Sequence, residues 1–291
     1  MILSRRATPY LLLAPVLLFA AVFFLVPVLF SLGLSFFSWN SLGRPRFVGA
    51  ANYAYLLTRD PLFWTTLRNT ALFVGGTILV GVPLAMALAV AVRRSRRRAV
   101  WRSLYWLPGV TNVAAVAYVW QSVLADPYGL LNRTLALAGI PGPAWLFDPG
   151  TAMLATILVF VWFHVGQDML LLSAALDQVD EDCEDAARID GASPWEVFRH
   201  VTLPLLKPAL LFVTLSNLVK GVGYFALMLV LTGGGPVNTT NVAALHIYDL
   251  AFGQLKLGLA AAAAWLLLVA VALVAFAQLA FMRRGGLEAY G

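Results

Sequence analysis

Two small polar clusters sit inside otherwise apolar runs. His164 and Asp168 are four residues apart with Gln167 beside them, and Asn217, Lys220 and Tyr224 follow at spacings of three and four. In a helix those spacings put the members of each set on one face. Ionisable groups inside apolar segments are costly and usually mark a solute or ion pathway. Lys220 and Asn217 could donate to solute hydroxyls, and Tyr224 could stack on a ring. The alternative is a Lys220 that snorkels or pairs with a neighbouring subunit. His164 and Asp168 could form a proton relay, as in a proton-coupled secondary transporter, or they could be polar lining or an interhelical hydrogen bond. At ~1.5 Å per residue from the inner end of each run, Asp168 lies about 12 Å deep and Lys220 about 25 Å. This count predicts that the two do not pair and that His164 and Asn217 lie at similar depth. No metal site is expected, because His164, His200 and His246 fall in three separate elements without ligand spacing. Cys183 is the only cysteine, so no disulfide framework forms. No GxxxxGK[ST] phosphate loop is present either, so this chain is not expected to bind or hydrolyse ATP.

The third chemical stretch is Asp177 to Pro208, DQVDEDCEDAARIDGASPWEVFRHVTLPLLKP. Eight of the chain's 14 acidic residues lie in it. A helix fits Asp180–Ile189, and Gly191 supplies a helix-ending residue. Ser193, Pro194 and Glu196 restart a helix as an N-cap, a first-turn proline and the partner of a capping box. The segment reads as helix, sharp turn, helix.

The elements that position these groups follow from composition. The chain has 291 residues, 61% hydrophobic and 12% charged, with a mean hydropathy of +0.82. A soluble domain averages about 45–50% apolar and 25% charged, so this is a polytopic membrane protein. Six runs reach the roughly 20 apolar residues needed to span: Pro9–Phe37, Asn69–Val92, Leu104–Leu124, Thr151–Leu176, Leu203–Leu231 and Leu257–Met282. The run behind Arg5 and Arg6 is longer than a secretory signal core and reads as an uncleaved first span. With the N-terminus inside, 13 of the 20 Lys and Arg residues fall on the cytoplasmic side. The positive-inside rule then places both termini and the acidic hairpin in the cytoplasm. The Arg93–Arg98 run, RRSRRR, becomes an orientation signal with possible contacts to anionic membrane lipid, not a nucleic-acid patch. Pro108, Gly109, Thr111 and Asn112 interrupt the third span, as a hinge or a simple proline kink. Ala260–Ala264 is a helix-packing face. The chain, residues 1–291, reads as a single transmembrane domain.

The hairpin carries a specific spacing: Asp185-Ala186-Ala187, three residues, Gly191, nine residues, Val201, one residue, Leu203-Pro204. It resembles the EAA loop of ABC-importer permeases, with Asp185 in place of Glu and Val201 in place of Ile. FVG…NY at Phe47–Tyr53, FW…NT at Phe63–Thr70, YGLLN at Tyr128–Asn132 and LTGGGP at Leu231–Pro236 are similar to the carbohydrate branch, which includes the maltose-type and glycerol-3-phosphate-type permeases. The resemblance runs from about Phe47 to Met282. It implies an all-α fold of six transmembrane helices, the ABC type I importer permease fold, with a cytoplasmic coupling helix-turn-helix at 177–208 between spans four and five. Glu184, Asp185, Ala186, Ala187, Asp190, Gly191 and Pro194 would form the ATPase-docking surface. Asn217, Lys220, Tyr224, His164, Gln167 and Asp168 are the substrate-pathway candidates, although the family often has an acidic residue where Ala226 stands. The implied partners are a second homologous permease, a pair of ABC ATPase subunits that hold ATP and Mg, and an extracytoplasmic solute-binding protein. The expected role is uptake of a sugar, oligosaccharide or related polyol or glycerol phosphate across the cytoplasmic (inner) membrane.

Overall fold

A computed structural model describes residues 8–40 and 43–284. Arg5 and Arg6, the start of the topology argument, lie outside the described residues. Among the described residues there are fifteen α-helices, with four short π or 3-10 segments between some of them and loops between the rest. They are α1 Thr8–Ala20, α2 Val26–Leu34, α3 Ala51–Thr58, α4 Pro61–Arg93, α5 Arg98–Trp106, α6 Val113–Val123, α7 Leu130–Leu137, α8 Ala152–Leu176, α9 Glu181–Ile189, α10 Pro194–Val197, α11 Leu203–Leu205, α12 Lys207–Gly223, α13 Phe225–Leu231, α14 Ala243–Tyr248 and α15 Leu257–Arg284. The one strand pairing among the described residues is an antiparallel ribbon, β1 Phe37–Ser38 with β2 Arg46–Phe47.

Four continuous helical stretches are long and apolar enough to cross a membrane: Leu12–Leu34, Pro61–Arg93, Ala152–Leu176 and Leu257–Ala280. The other two predicted spans are interrupted. Within Leu104–Leu124 the chain forms α5, a 3-10 turn at Leu107–Val110, and then α6. Pro108 lacks an N–H for the helical ladder. Asn112 then opens α6 as its N-cap, its Oδ1 accepting from the N–H of Ala114 at 2.9 Å. The fifth run bends by 68° between the Pro194–Leu205 stretch and α12, next to Pro204 and Pro208. It breaks again at Tyr224, where φ is −89° and ψ is 61°. Beyond α13, Gly233 and Gly234 take left-handed backbone (φ 63° and 86°), which ends the run where the TGGGP sequence predicts.

The chain divides into two compact units, and each is described by itself. The first comprises residues 8–64 and 246–269 of those described. Asn52 fixes its turn by donating to the carbonyls of Ser35 and Phe37 at 2.8 and 3.0 Å. Gly258 has the Phe37 carbonyl against it, so close that a Cβ there would lie 1.8 Å from the oxygen. Asp60 caps α4 by accepting from Leu62 and Phe63 N–H. In the predicted alanine face, Ala260 to Ala263 are buried.

The second unit holds residues 65–245 and 270–284 of those described, and its centre is α8. This helix is apolar on all sides and buries 16 of its 25 residues, as a core helix does. Phe73 of α4 meets Phe160 of α8 edge-on at 5.1 Å, and Met169 and Leu172 are fully buried. Truncating Leu172 to Ala would cost about 2–5 kcal/mol through the cavity left behind. Gly166 admits the backbone of α5: a Cβ at this position would fall 1.8 Å from the Tyr105 carbonyl oxygen. Small residues of this kind let membrane helices touch backbone to backbone.

Candidate functional site

The six pathway candidates converge. α8 presents His164, Gln167 and Asp168; α12 presents Asn217 and Lys220; Tyr224 follows at the break after α12. Asn217 donates its Nδ2 to Asp168 Oδ2 at 2.7 Å and to the Val213 carbonyl at 2.9 Å. Lys220 Nζ reaches Asp168 Oδ1 at 3.5 Å and Gln167 Oε1 at 3.2 Å. The depth count is therefore wrong, and Asp168 and Lys220 are partners. It measured both runs from one inner plane as if they were straight. The 68° bend before Lys207 removes that common origin, and a lysine side chain is long enough to span the remaining difference.

His164 is held elsewhere. Its Nδ1 donates to the Phe160 carbonyl at 3.1 Å, and a carbonyl can only accept, so this nitrogen carries a proton. Phe160 stacks on the ring at 4.1 Å, while Phe163 and Tyr224 approach edge-on at 4.8 and 4.9 Å. Tyr224 thus serves the cluster through its ring contacts with α8, although it lies just past the end of the α12 face. Among the described residues no hydrogen bond or ion pair joins His164 to Asp168, so the relay has no direct link. Exposure is graded across the site. The Asp168 side chain is 3% exposed and that of Lys220 28%, and Gln167 is exposed. A carboxylate so deep is tolerable because it is paired and hydrogen-bonded. The Lys220 ammonium retains donor capacity toward the open side.

The acidic hairpin forms as its caps dictate. Asp180 starts α9 by accepting from Asp182 N–H at 3.0 Å. Gly191 has φ +89°, and Ala192 and Gly191 N–H bond back to the carbonyls of Ala187 and Arg188 at 3.0 and 3.1 Å. That pattern is a Schellman stop, in which glycine takes the left-handed position. The capping box at α10 is closed from both sides: Ser193 N–H to Glu196 Oε2 at 2.7 Å and Glu196 N–H to Ser193 Oγ at 3.4 Å. The Ser193 side chain, and then the Ser193 backbone N–H, donate to the Glu196 carboxyl and hold it below its ordinary value. Asp185, Ala186, Asp190, Gly191 and Pro194 are exposed and Ala187 is half-buried. Ile189 is 86% exposed and Trp195 65%, an apolar surface left open on a charged loop. Asp185 pairs with Arg188 along the helix.

Glu184 departs from its expected place at the docking surface. It points inward and is 7% exposed. Arg93 reaches Oε1 at 2.8 Å, Thr202 donates its hydroxyl to the same oxygen at 2.9 Å, and Arg188 approaches Oε2 at 3.4 Å. Burial by itself would raise the Glu184 pKa, and it is the largest single influence. The bonds from Arg93 and Thr202, with the charges of Arg93 and Arg188, together outweigh it and hold the carboxyl below its ordinary value. A groove of about 1070 Å³ opens beside this carboxylate, between α4 (Pro83, Met86, Val90) and α10 with the residue that follows it (Trp195, Phe198). Farther along, Arg102 of α5 pairs with Asp177 at the end of α8 at 2.9 Å. Arg93 and Asp177 are read from sequence only as parts of the basic run and the acidic stretch, Arg102 and Thr202 carry no role there, and none of these pairings is foreseen. The available signal was that the most basic and the most acidic segments of the chain have complementary charge.

The sequence profile described as "Binding-protein-dependent transport system inner membrane component" matches residues 81–285. The lactose transport system permease protein of Rhizobium radiobacter is 32% identical over 276 residues, covering 92% of each chain. The probable starch degradation products transport system permease protein of Thermoanaerobacterium thermosulfurigenes is 29% identical, covering 96% of this chain and 95% of its own. Among solved structures, a bacterial ABC transporter involved in the import of the acidic polysaccharide alginate superposes with a TM-score of 0.82. It is 21% identical and covers 96% of both chains, a likeness in fold.

Proposed function

The chain belongs to the family of inner-membrane components of binding-protein-dependent transport systems, the permease subunits of ABC importers, and on that premise we propose how it divides the work with its partners. In this family the ATPase is a separate subunit, so the chain contributes a membrane passage and a mechanical connection, not hydrolysis. The solute is a sugar or oligosaccharide, a reading supported by relatives named for lactose, starch products and arabinooligosaccharides. The chain crosses the membrane six times, counting the two interrupted segments, with both termini in the cytoplasm. It works with a second homologous permease, two ATPase subunits and an extracytoplasmic solute-binding protein.

Residues 177–208 are the coupling element. The observation that carries this reading is the pairing of rigid local caps with exposed Ile189 and Trp195. Large apolar side chains on a tightly built, charged loop mark a protein-docking surface. The cluster of Gln167, Asp168, Asn217 and Lys220, with Tyr224 and His164 behind it, lines the solute path. Gln167 and Lys220 meet solute hydroxyls, and Asp168 balances the lysine. The proton-coupled alternative is not retained, because the family is ATP-driven and His164 bonds to Phe160 in place of Asp168.

Reconstitution tests the whole reading. The permease pair, purified with its ATPase, should hydrolyse ATP faster when sugar-loaded binding protein is added, and lactose, maltotriose or arabinotriose supplied on its cognate binding protein should enter the vesicles. Uptake driven by a proton gradient without ATP would overturn it.

A further inference from the structure

Glu184 stands where three separately anchored elements meet. Arg93 is the last residue of α4, Thr202 belongs to the π-helical turn that leads into α11, and Arg188 lies one turn along α9. One buried carboxylate accepts from all three, at 2.8, 2.9 and 3.4 Å. A carboxylate offers about four lone-pair sites, enough for this set, whereas an amide would turn two N–H groups toward arginines. At the other end of the basic segment, one Arg102 nitrogen sits 2.9 and 3.1 Å from the two oxygens of Asp177. Among the described residues, Arg94, Arg96, Arg97 and Arg98 form no ion pair. The basic segment is therefore pinned to the acidic one at its two ends, first by a buried pair and then by a more open one.

The covalent chain joins the hairpin only to α8 and α12. A displacement of α9 carried by the backbone alone would reach those two helices, and α5 through its seat on α8 at Gly166, but would leave the end of α4 behind. We propose that Glu184 is a positioning residue that delivers hairpin motion to α4 through Arg93, with Asp177 and Arg102 making a secondary connection to α5. This rests on the reading of residues 177–208 as the coupling element. Glu184 does not touch the ATPase; it determines which helices the ATPase moves.

Cys183 makes the idea directly measurable, because it is exposed on α9 and is the sole cysteine of the chain. A nitroxide placed there, in the purified complex with partner cysteines replaced, reports how firmly α9 is held. In Glu184→Gln and in Arg93→Gln the label should become more mobile, and solute transported per ATP should fall about tenfold with the ATPase still bound. The double variant should be no worse than either single one, since residues acting through one contact are not additive. Arg93→Lys keeps the charge, loses the guanidinium geometry, and is the fallback if a Gln variant does not assemble; it should uncouple in part. Glu184→Asp should restore part of the ratio lost in Glu184→Gln. A wild-type transport ratio in Glu184→Gln or Arg93→Lys, or additive losses in the double variant, would overturn the proposal. Ala187→Trp separates the two claims. If it uncouples while Glu184→Gln does not, only the Glu184 connection fails; if it also couples normally, the coupling element itself has been misassigned.

Discussion

Two carboxylates in this protein are buried beside a cation, and they are held in opposite ways. Glu184, at the aqueous end of α4, is saturated: a guanidinium at 2.8 Å, a hydroxyl at 2.9 Å and a second guanidinium behind. Asp168, in the middle of α8, has one short bond from Asn217, while its ammonium partner stands at 3.5 Å with 28% of its side chain exposed. A planar guanidinium matches a carboxylate and holds one geometry, while an ammonium on four methylenes can turn among acceptors. The first arrangement fixes elements to each other. The second leaves donor capacity on a partly exposed ammonium, which the proposed solute path would use. Both pairs neutralise a buried charge, so the contrast lies in geometry and exposure, not in net charge.

The largest effect should come from the docking surface that Glu184 supports. Gly191→Val forces a β-branched residue into left-handed backbone, a penalty of roughly 1–2 kcal/mol or more, and Ala187→Trp enlarges a half-buried docking position. Each should leave the protein in the membrane and reduce substrate-stimulated ATP hydrolysis by tenfold or more in reconstituted complexes. Normal stimulation in both would mean that the hairpin is not the fixed region of the comparison.

Lys220→Met addresses the reserve donor. Transport per folded complex should drop several-fold with ATPase association retained; because Asp168 loses its cation, expression falls too, and uptake is normalised to assembled protein and subunit stoichiometry. Unchanged uptake would show that the ammonium only balances Asp168.

Acid should separate the two regions next. The Glu184 pKa lies below the ordinary glutamate value of 4.5 when the hairpin is in place. Its contribution to holding α9 is therefore fully present above that value and is lost as pH falls through the lower, folded-state pKa. A label on Cys183 should stay immobile down to about pH 4.5 and loosen below it, whereas in Glu184→Gln mobility should not change with pH across that window. Loosening already at pH 6 would contradict a well-paired carboxylate.

The smallest effect belongs to the cap. Ser193→Ala should cost about 1 kcal/mol locally. Amide exchange at the start of α10 should quicken severalfold while transport stays near normal.

The hairpin was legible in sequence because its determinants are local: Asp180, Gly191, Ser193 and Glu196 cap their own neighbours. The six residues of the polar cluster also stand out in sequence, since a polar group in an apolar run is visible in composition. Their pairing does not. Asp168 and Lys220 are 52 residues apart, and a depth ruler works only for straight helices sharing one plane. The inward turn of Glu184 was hidden for a similar reason. Acidic residues crowd α9, and only the position of Arg93 decides which of them faces the core. The interruptions in the third and fifth runs had visible causes in Pro108, Pro204 and Pro208, but their angles depend on packing.

The two interruptions also lie on one seam. Before its break, α5 is seated on α8 at Gly166, and before its own break α12 packs on α8 as well. After their breaks, α6 and α13 pack chiefly on each other, with the Gln121 amide reaching the Val230 and Leu231 carbonyls at 3.5 Å. The Leu107–Asn112 turn and Tyr224 are thus the two places where the chain passes from one packed set, α5, α8 and α12, to the pair α6 and α13. A displacement of α6 should be shared by α13, its main packing partner, and the reverse. The ring of Tyr224, set against His164 and Phe160 at 4.9 and 5.0 Å, lies at that junction beside the pathway candidates.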